Sequence, residues 1–108
     1  MPRFLVQASY SNDSMAAMIS NPEDRVAIIR QLVESVGGTL ESFNFAFGDY
    51  DLVAIGELPD NATMAALSMA VSASGAAKDI KTTVLLSVDE AMEALRKAGS
   101  VGYRPPAG

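Results

Sequence analysis

The 108-residue sequence contains no cysteine, no histidine and no tryptophan. Without cysteine, the chain forms no disulfide, offers no thiolate nucleophile and has no thiolate metal ligand. Without histidine, it lacks the commonest general base, the commonest transition-metal ligand and the usual proximal ligand of haem. We therefore expect no cofactor and no metal site in this protein.

Basic residues are also scarce, with eight Lys and Arg against thirteen Asp and Glu, a net charge of -5. Nucleic-acid binding needs clustered cations that displace counterions from phosphates, and here the cations are scattered. Neither nucleic acid nor a membrane is therefore an expected partner. No run approaches the roughly 20 apolar residues of a membrane span, and no apolar signal core follows Met1. These features predict a cytoplasmic protein.

Hydrophobic periodicity predicts the first half of the fold. Residues 4–10 alternate between apolar and other side chains, as in a strand with one buried face. A short helix is expected near residues 15–19, and a longer one starts at Asn21 and Pro22 and ends before Gly37. Strands over residues 39–47 and 50–58 would form a hairpin. Gly48 and Asp49, which tolerate positive φ, would make its tight turn.

The second half is predicted to contain two more helices and one more strand. A helix capped by Asp60 or Asn61 is almost entirely Ala, Met, Leu, Val and Ser, which predicts burial on more than one side. A fourth strand follows over residues 78–86. A last helix, capped by Ser87 or Asp89, covers residues 90–98. Residues 1–99 then make one domain, and residues 100–108 are a tail whose Tyr103 we expect to pack on the domain or on a partner subunit.

This order predicts an α+β fold of the ferredoxin-like β-α-β-β-α-β type, with an extra C-terminal helix. Right-handed crossovers place both long helices on one face of an antiparallel four-stranded sheet of order 4-1-3-2. The other face then carries alternating side chains that are partly apolar. An uncovered apolar face usually marks an interface, so we predict a homodimer, or a larger homo-oligomer, that pairs these sheet faces about a two-fold axis.

Several segments resemble one subgroup of the GYD-domain family. The resemblance covers almost the whole chain and is carried by Gly48-Asp49-Tyr50-Asp51, Asn21-Pro22-Glu23-Asp24-Arg25, Gly37-Gly38, Ile80-Lys81-Thr82-Thr83 and Gly102-Tyr103-Arg104-Pro105-Pro106. The family is similar to the dimeric α/β-barrel superfamily, in which two ferredoxin-like sheets face each other. The resemblance therefore implies the same dimer, but it implies no settled biochemical activity.

The leading functional hypothesis is a small-molecule-binding homo-oligomer with an apolar cavity near the sheet face. The candidate ligand-binding residues are Gln7, Asn44, Tyr50, Asp51 and Lys81. Two alternatives stay open: a cofactor-independent oxygenase or isomerase of an apolar substrate, which the resemblance to the superfamily implies, and a purely structural assembly module.

Three features have competing interpretations. Tyr50 and Asp51 belong either to a plain hairpin turn or to the mouth of a cavity between sheets. The stripe of Phe43, Phe45 and Phe47 belongs to the core, to the dimer interface or to the lining of an apolar ligand site. Arg25 is either a plain surface residue or the partner of a carboxylate or anionic ligand. No catalytic residue is identified.

Overall fold

Four strands and four helices follow one another along residues 1–107, the part of the chain that the computed structural model describes. They are β1 (Arg3–Tyr10), α1 (Asn12–Ser20), α2 (Arg25–Ser35), β2 (Thr39–Phe45), β3 (Leu52–Glu57), α3 (Asn61–Ser74), β4 (Ala77–Leu85) and α4 (Val88–Ala98). The strands form one antiparallel sheet in the order β2-β3-β1-β4. The predicted α+β ferredoxin-like fold and its strand order are confirmed.

The N-terminal caps explain where the long helices begin. α2 begins after Asp24, whose carboxylate accepts hydrogen bonds from the backbone amides of Val26 and Ala27 at 3.0 and 3.3 Å. The predicted cap at Asn21 is wrong because Asn21 ends α1, where its amide donates to the Ala17 carbonyl at 2.9 Å. Asp60 caps α3 through the amide of Thr63 at 2.8 Å.

The core lies between the sheet and the two long helices. Phe4 of β1 is only 2% exposed and packs with Val33 of α2, with Leu58, and with Met64 and Leu67 of α3. α2 lies over β2, and α3 lies over β4. Met64 and Leu67 are the buried residues of α3, so the predicted burial of that helix on several sides is wrong within one chain. The sheet contacts only one side of it.

A β-bulge in β2 changes which side chains face the helices. Leu40 pairs with Gly56 and Ser42 with Ile55, so Glu41 is an extra residue in the ladder. Leu40 and Phe43 both face the helices, where they line the same cavity. Glu41 lies on the other side. A regular strand over residues 39–47 would place Glu41 and Phe43 on one face, so the regular alternation does not hold at this point.

The connection between β2 and β3 is longer than the predicted two-residue turn. Residues 46–51 form it, and the amide of Ala46 donates to the carbonyl of Asp51 at 2.7 Å. Within residues 1–107, positive φ angles occur only at Gly37 and Gly75. The expected use of positive φ at Gly48 and Asp49 is therefore wrong, because the longer connection reverses the chain without it.

The C-terminal part of the chain lies outside the core. No residue of α4 is buried, and Tyr103 is 77% exposed. Tyr103 therefore does not pack on its own domain, while its packing on a partner subunit stays a prediction. No helix within residues 1–107 has both the length and the apolar character needed to cross a membrane.

Gly38 is the glycine whose replacement the core tolerates least. A Cβ atom there would lie 2.5 Å from the Glu57 carbonyl oxygen and 2.9 Å from side-chain carbons of Leu58 and Val33. Because backbone and core atoms must shift to accommodate it, Gly38→Ala should lower the free energy of unfolding by about 2 kcal/mol. The loss should be measured by chemical denaturation.

Gly48→Ala is the matched control for Gly38→Ala. No atom lies within 4 Å of a Cβ built at Gly48, and its φ is not positive. This variant should stay within about 0.5 kcal/mol of the wild type. Equal losses in both variants would contradict the close contact inferred at Gly38.

Candidate functional site

Three of the predicted site residues share one row across the sheet. In the strand register, Asn44 lies opposite Val53, Val53 opposite Gln7, and Gln7 opposite Lys81. Side chains at paired positions lie on the same face, and this face is the one turned away from the helices. The structure therefore brings Gln7, Asn44 and Lys81 onto the uncovered face, with Val53 between the first two.

The uncovered face has an apolar centre and a polar margin. Leu5 and Ile55 are paired in the row next to Gln7, and both are half-buried. At one end of the face, the Arg3 guanidinium binds the Glu41 carboxylate through two hydrogen bonds of 2.9 and 2.6 Å. Arg3 holds the pKa of Glu41 below its usual value. The face thus resembles an interface core with a charged rim.

Asp51 lies apart from that row and holds the β2–β3 connection against β1. Its amide donates to the Ala8 carbonyl at 2.9 Å. Its carboxylate oxygen Oδ2 accepts a hydrogen bond from the amide of Tyr10, also at 2.9 Å. Tyr50 is half-buried beside it in the connection and lines neither of the two cavities described below.

A groove lies at the end of the sheet where β1 and β2 finish. It is open to solvent and has a volume of about 490 Å³, within the range of about 300–1,000 Å³ that small-molecule sites occupy. Its apolar wall includes Met15, Met18, Ile19, Phe45 and Phe47, and its polar members are Tyr10, Glu23 and Asp51. α1 thus supplies one wall, and the start of the β2–β3 connection supplies the other.

Tyr10 gives the groove its polar end. Burial raises the pKa of its phenol above the ordinary value of 10.0, and the negative charge of Asp51 acts in the same direction. The nearby positive charge of Arg25 favours the ionised form and partly offsets this increase in the pKa. The phenol is therefore neutral near pH 7 and can donate a hydrogen bond.

The Arg25 guanidinium is paired with a carboxylate. Its Nη1 donates to Glu23 Oε1 at 3.0 Å. Arg25 opens α2, and Glu23 precedes the Asp24 cap, so the entry into this helix places both charges beside Tyr10. Of the two sequence interpretations of Arg25, pairing with a carboxylate is the one that the structure shows.

A second, smaller cavity lies between the sheet and the two long helices, within the core layer. It measures about 130 Å³, and its lining includes Leu32 of α2, Val71 of α3 and Phe43 of β2. Phe43 also packs edge-to-face against Phe45, with ring centroids 5.5 Å apart. A dry apolar cavity of about 150 Å³ holds a molecule the size of benzene. The space is therefore too small for a larger organic ligand.

Sequence reasoning missed Tyr10 as a site residue, together with the α1 side chains of the groove. Tyr10 continues the side of β1 that carries Phe4 and Ala8, which suggested only a core role. Its place at the strand end, directly before a helix, was the available signal.

The phenylalanine stripe is divided, because Phe43 is half-buried, Phe45 is 60% exposed and Phe47 is fully exposed.

The model of the GYD domain matches residues 4–95. The chain belongs to the GYD-domain family. No curated protein and no solved structure matches it significantly. The matched part of this GYD domain runs from β1 into α4, so it includes both the uncovered sheet face and the groove. Within residues 1–107, no group of three or more carboxylates has an arrangement that would hold a metal ion.

The titration of Tyr10 tests the electrostatics of the groove in this GYD domain. The difference between the absorbance titrations of the wild type and of Tyr10→Phe reports the ionisation of the Tyr10 phenol. Its midpoint should lie above pH 10. Arg25→Gln should raise the midpoint further, since it removes a cation that stabilises the phenolate. Asp51→Asn should lower it, since it removes a nearby negative charge.

The same pKa shift links Tyr10 to the pH dependence of stability. In the unfolded chain the phenol loses its proton near pH 10, at a lower pH than the phenol of the folded protein. The contribution of the protonated phenol to folding stability is therefore fully present below pH 10. This contribution is lost as the pH rises through the pKa of Tyr10 in the folded protein. The free energy of unfolding of the wild type should therefore fall faster above pH 10 than that of Tyr10→Phe. A Tyr10 midpoint at or below pH 10 would contradict this account.

Proposed function

We propose that this GYD domain binds a small amphipathic molecule in the groove beside Tyr10. The apolar body of the ligand would lie against Met15, Met18 and Phe45, and its polar head would reach Tyr10 and Arg25. One observation carries the proposal: an apolar groove of about 490 Å³ includes the Tyr10 phenol in its lining, and the Arg25 guanidinium lies close enough to lower the pKa of that phenol. A few convergent polar groups in an apolar pocket are typical of ligand sites.

The charges at this end indicate which head group fits. The neutral phenol and the guanidinium both donate hydrogen bonds, so the head must accept them. Glu23 already occupies one nitrogen of Arg25, and Asp51 adds a second negative charge nearby. A carbonyl or a carboxylate that binds Arg25 would therefore compete with Glu23 for the guanidinium.

Binding has stronger support than catalysis. A phenol whose pKa is raised is a poor base at neutral pH. The Asp51 carboxylate accepts a hydrogen bond from the backbone amide of Tyr10, and the Glu23 carboxylate is paired with Arg25. Both carboxylates in the groove thus already have partners in this structure. The oxygenase or isomerase alternative lacks an observation of its own.

We also propose that the domain is a homodimer that pairs its uncovered sheet faces. The support is the apolar centre of that face, where half-buried Leu5 and Ile55 have only part of their surface covered by the chain itself. A second copy would remove the remaining apolar surface from water. The row of Gln7, Asn44 and Lys81 would then lie between the two sheets.

The ligand proposal is tested with 1-anilinonaphthalene-8-sulfonate, which has an aromatic body and an anionic head. Fluorescence titration should give saturable binding, and Arg25→Gln should weaken it about tenfold or more, since hydrogen bonds to charged groups contribute about 1.5–3 kcal/mol. In two-dimensional NMR spectra, the amides of residues 10–23 and 45–51 should shift.

Glu23→Gln is the matched control for that experiment. It removes the carboxylate that competes for Arg25, so the affinity for the dye should stay the same or increase. Dye-induced shifts confined to residues 67–71 would place the dye in the smaller cavity between the sheet and the two long helices, and would contradict the groove site.

The dimer proposal is tested by light scattering at micromolar concentration. The wild type should have the mass of two chains, and Ile55→Lys should raise the dissociation constant about 100-fold or more, because it places a charge in the centre of the face. Ser72→Lys introduces the same residue on the exposed side of α3 and should leave the mass unchanged. A monomeric wild type would contradict the proposal.

A further inference from the structure

α4 has a complete apolar stripe that its own chain leaves in water. At 100° per residue, its five charged side chains occupy one side of the helix. Val88, Met92 and Leu95 occupy the opposite side, and they are 79%, 46% and 66% exposed. The apolar surface continues past the helix through exposed Val101 and Tyr103.

Local interactions hold the ends of α4 but do not explain the stripe. Ser87 and Glu90 form a reciprocal capping box, and Glu93 pairs with Lys97 one turn later at 3.2 Å. Helices shorter than about 12–15 residues are marginal in water without packing, and α4 has 11 residues. Its stability as a helix therefore depends on a surface that covers the stripe.

The shape of the chain shows that this surface is not its own core. The radius of gyration is 17.4 Å and the longest dimension is 57 Å. A compact domain of this length has a radius of about 13 Å. Within residues 1–107, no residue of α4 is buried.

The area of the uncovered sheet face indicates what covers α4. Four strands about 4.8 Å apart and about 20 Å long give a face of roughly 400 Å². Pairing two such faces buries roughly 800 Å², less than the about 1,200 Å² of the smallest stable interfaces. A helix about 16 Å long and 10 Å wide covers roughly 160 Å². Each of the two helices buries this area on itself and an equal area on the partner subunit, which brings the total buried area to roughly 1,450 Å².

We infer that α4 packs its apolar stripe on a second copy of the chain, so that each subunit gives its C-terminal helix to the other. The inference rests on the proposed dimer and adds two helices that bring its buried area into the range of standard interfaces. The geometry supports it, because Leu85 pairs with Arg3 at the end of the uncovered face and α4 begins three residues later. α4 thus begins beside the uncovered face.

The experiment compares two full-length variants that place the same residue on opposite sides of α4. Leu95→Glu puts a carboxylate into the stripe, and Arg96→Glu puts one at the next position, on the charged side. Dissociation constants come from sedimentation equilibrium. Leu95→Glu should raise the constant about 30-fold or more, and Arg96→Glu should change it less than about threefold.

Circular dichroism shows whether the variants fold, and Leu95→Ala replaces Leu95→Glu if the latter does not, with an expected increase of about tenfold. A Leu95 variant that dimerises like the wild type overturns the inference, while the sheet-face dimer stands or fails separately on Ile55→Lys. An unchanged dissociation constant with a lower melting temperature of the monomer also overturns it, because α4 then packs on its own domain. A monomeric wild type overturns both proposals.

Discussion

The extended backbone of β1 places successive side chains on opposite faces of the sheet, and most of the structure depends on that division. Phe4 and Ala8 are directed at the helices and are buried, while Leu5 and Gln7 lie on the uncovered face. Because β1 pairs with both β3 and β4, its alternation is passed on to its neighbours through the register. The same strand thus contributes to the core, to the groove at Tyr10 and to the proposed interface.

Two local features adapt this regular sheet to its surroundings. The extra residue at Glu41 lets Leu40 and Phe43 face the helices together, which a strict alternation forbids. It also frees Glu41 to bind Arg3 across β3. At Gly38, the absence of a Cβ atom lets the chain pass within contact distance of Glu57 and Leu58 as it enters β2.

The groove combines structural and chemical roles in the same residues. Asp51 anchors the connection between β2 and β3, and its charge also contributes to the raised pKa of Tyr10. Arg25 is the first residue of α2, and its positive charge also lowers the pKa of the Tyr10 phenol. Substitutions at these positions therefore affect both local structure and electrostatics, so conservative variants that keep the shape of the side chain are the informative ones. The uncovered face is separate from this groove, so ligand binding and assembly are open to independent tests.

The sequence by itself determined the α+β fold and the strand order, because period-two and helical patterns and glycine stops are local signals. Its motifs also carried the resemblance to the GYD-domain family. It also indicated the apolar second face of the sheet. Only the tertiary structure placed Tyr10 beside Arg25 and separated Asp51 from the row of Gln7, Asn44 and Lys81. It also placed Glu41 on the face of the sheet opposite Phe43. Those relations depend on strand register, on a bulge and on the path of a six-residue connection. Each joins residues far apart in the chain, so no periodicity within one segment encodes them.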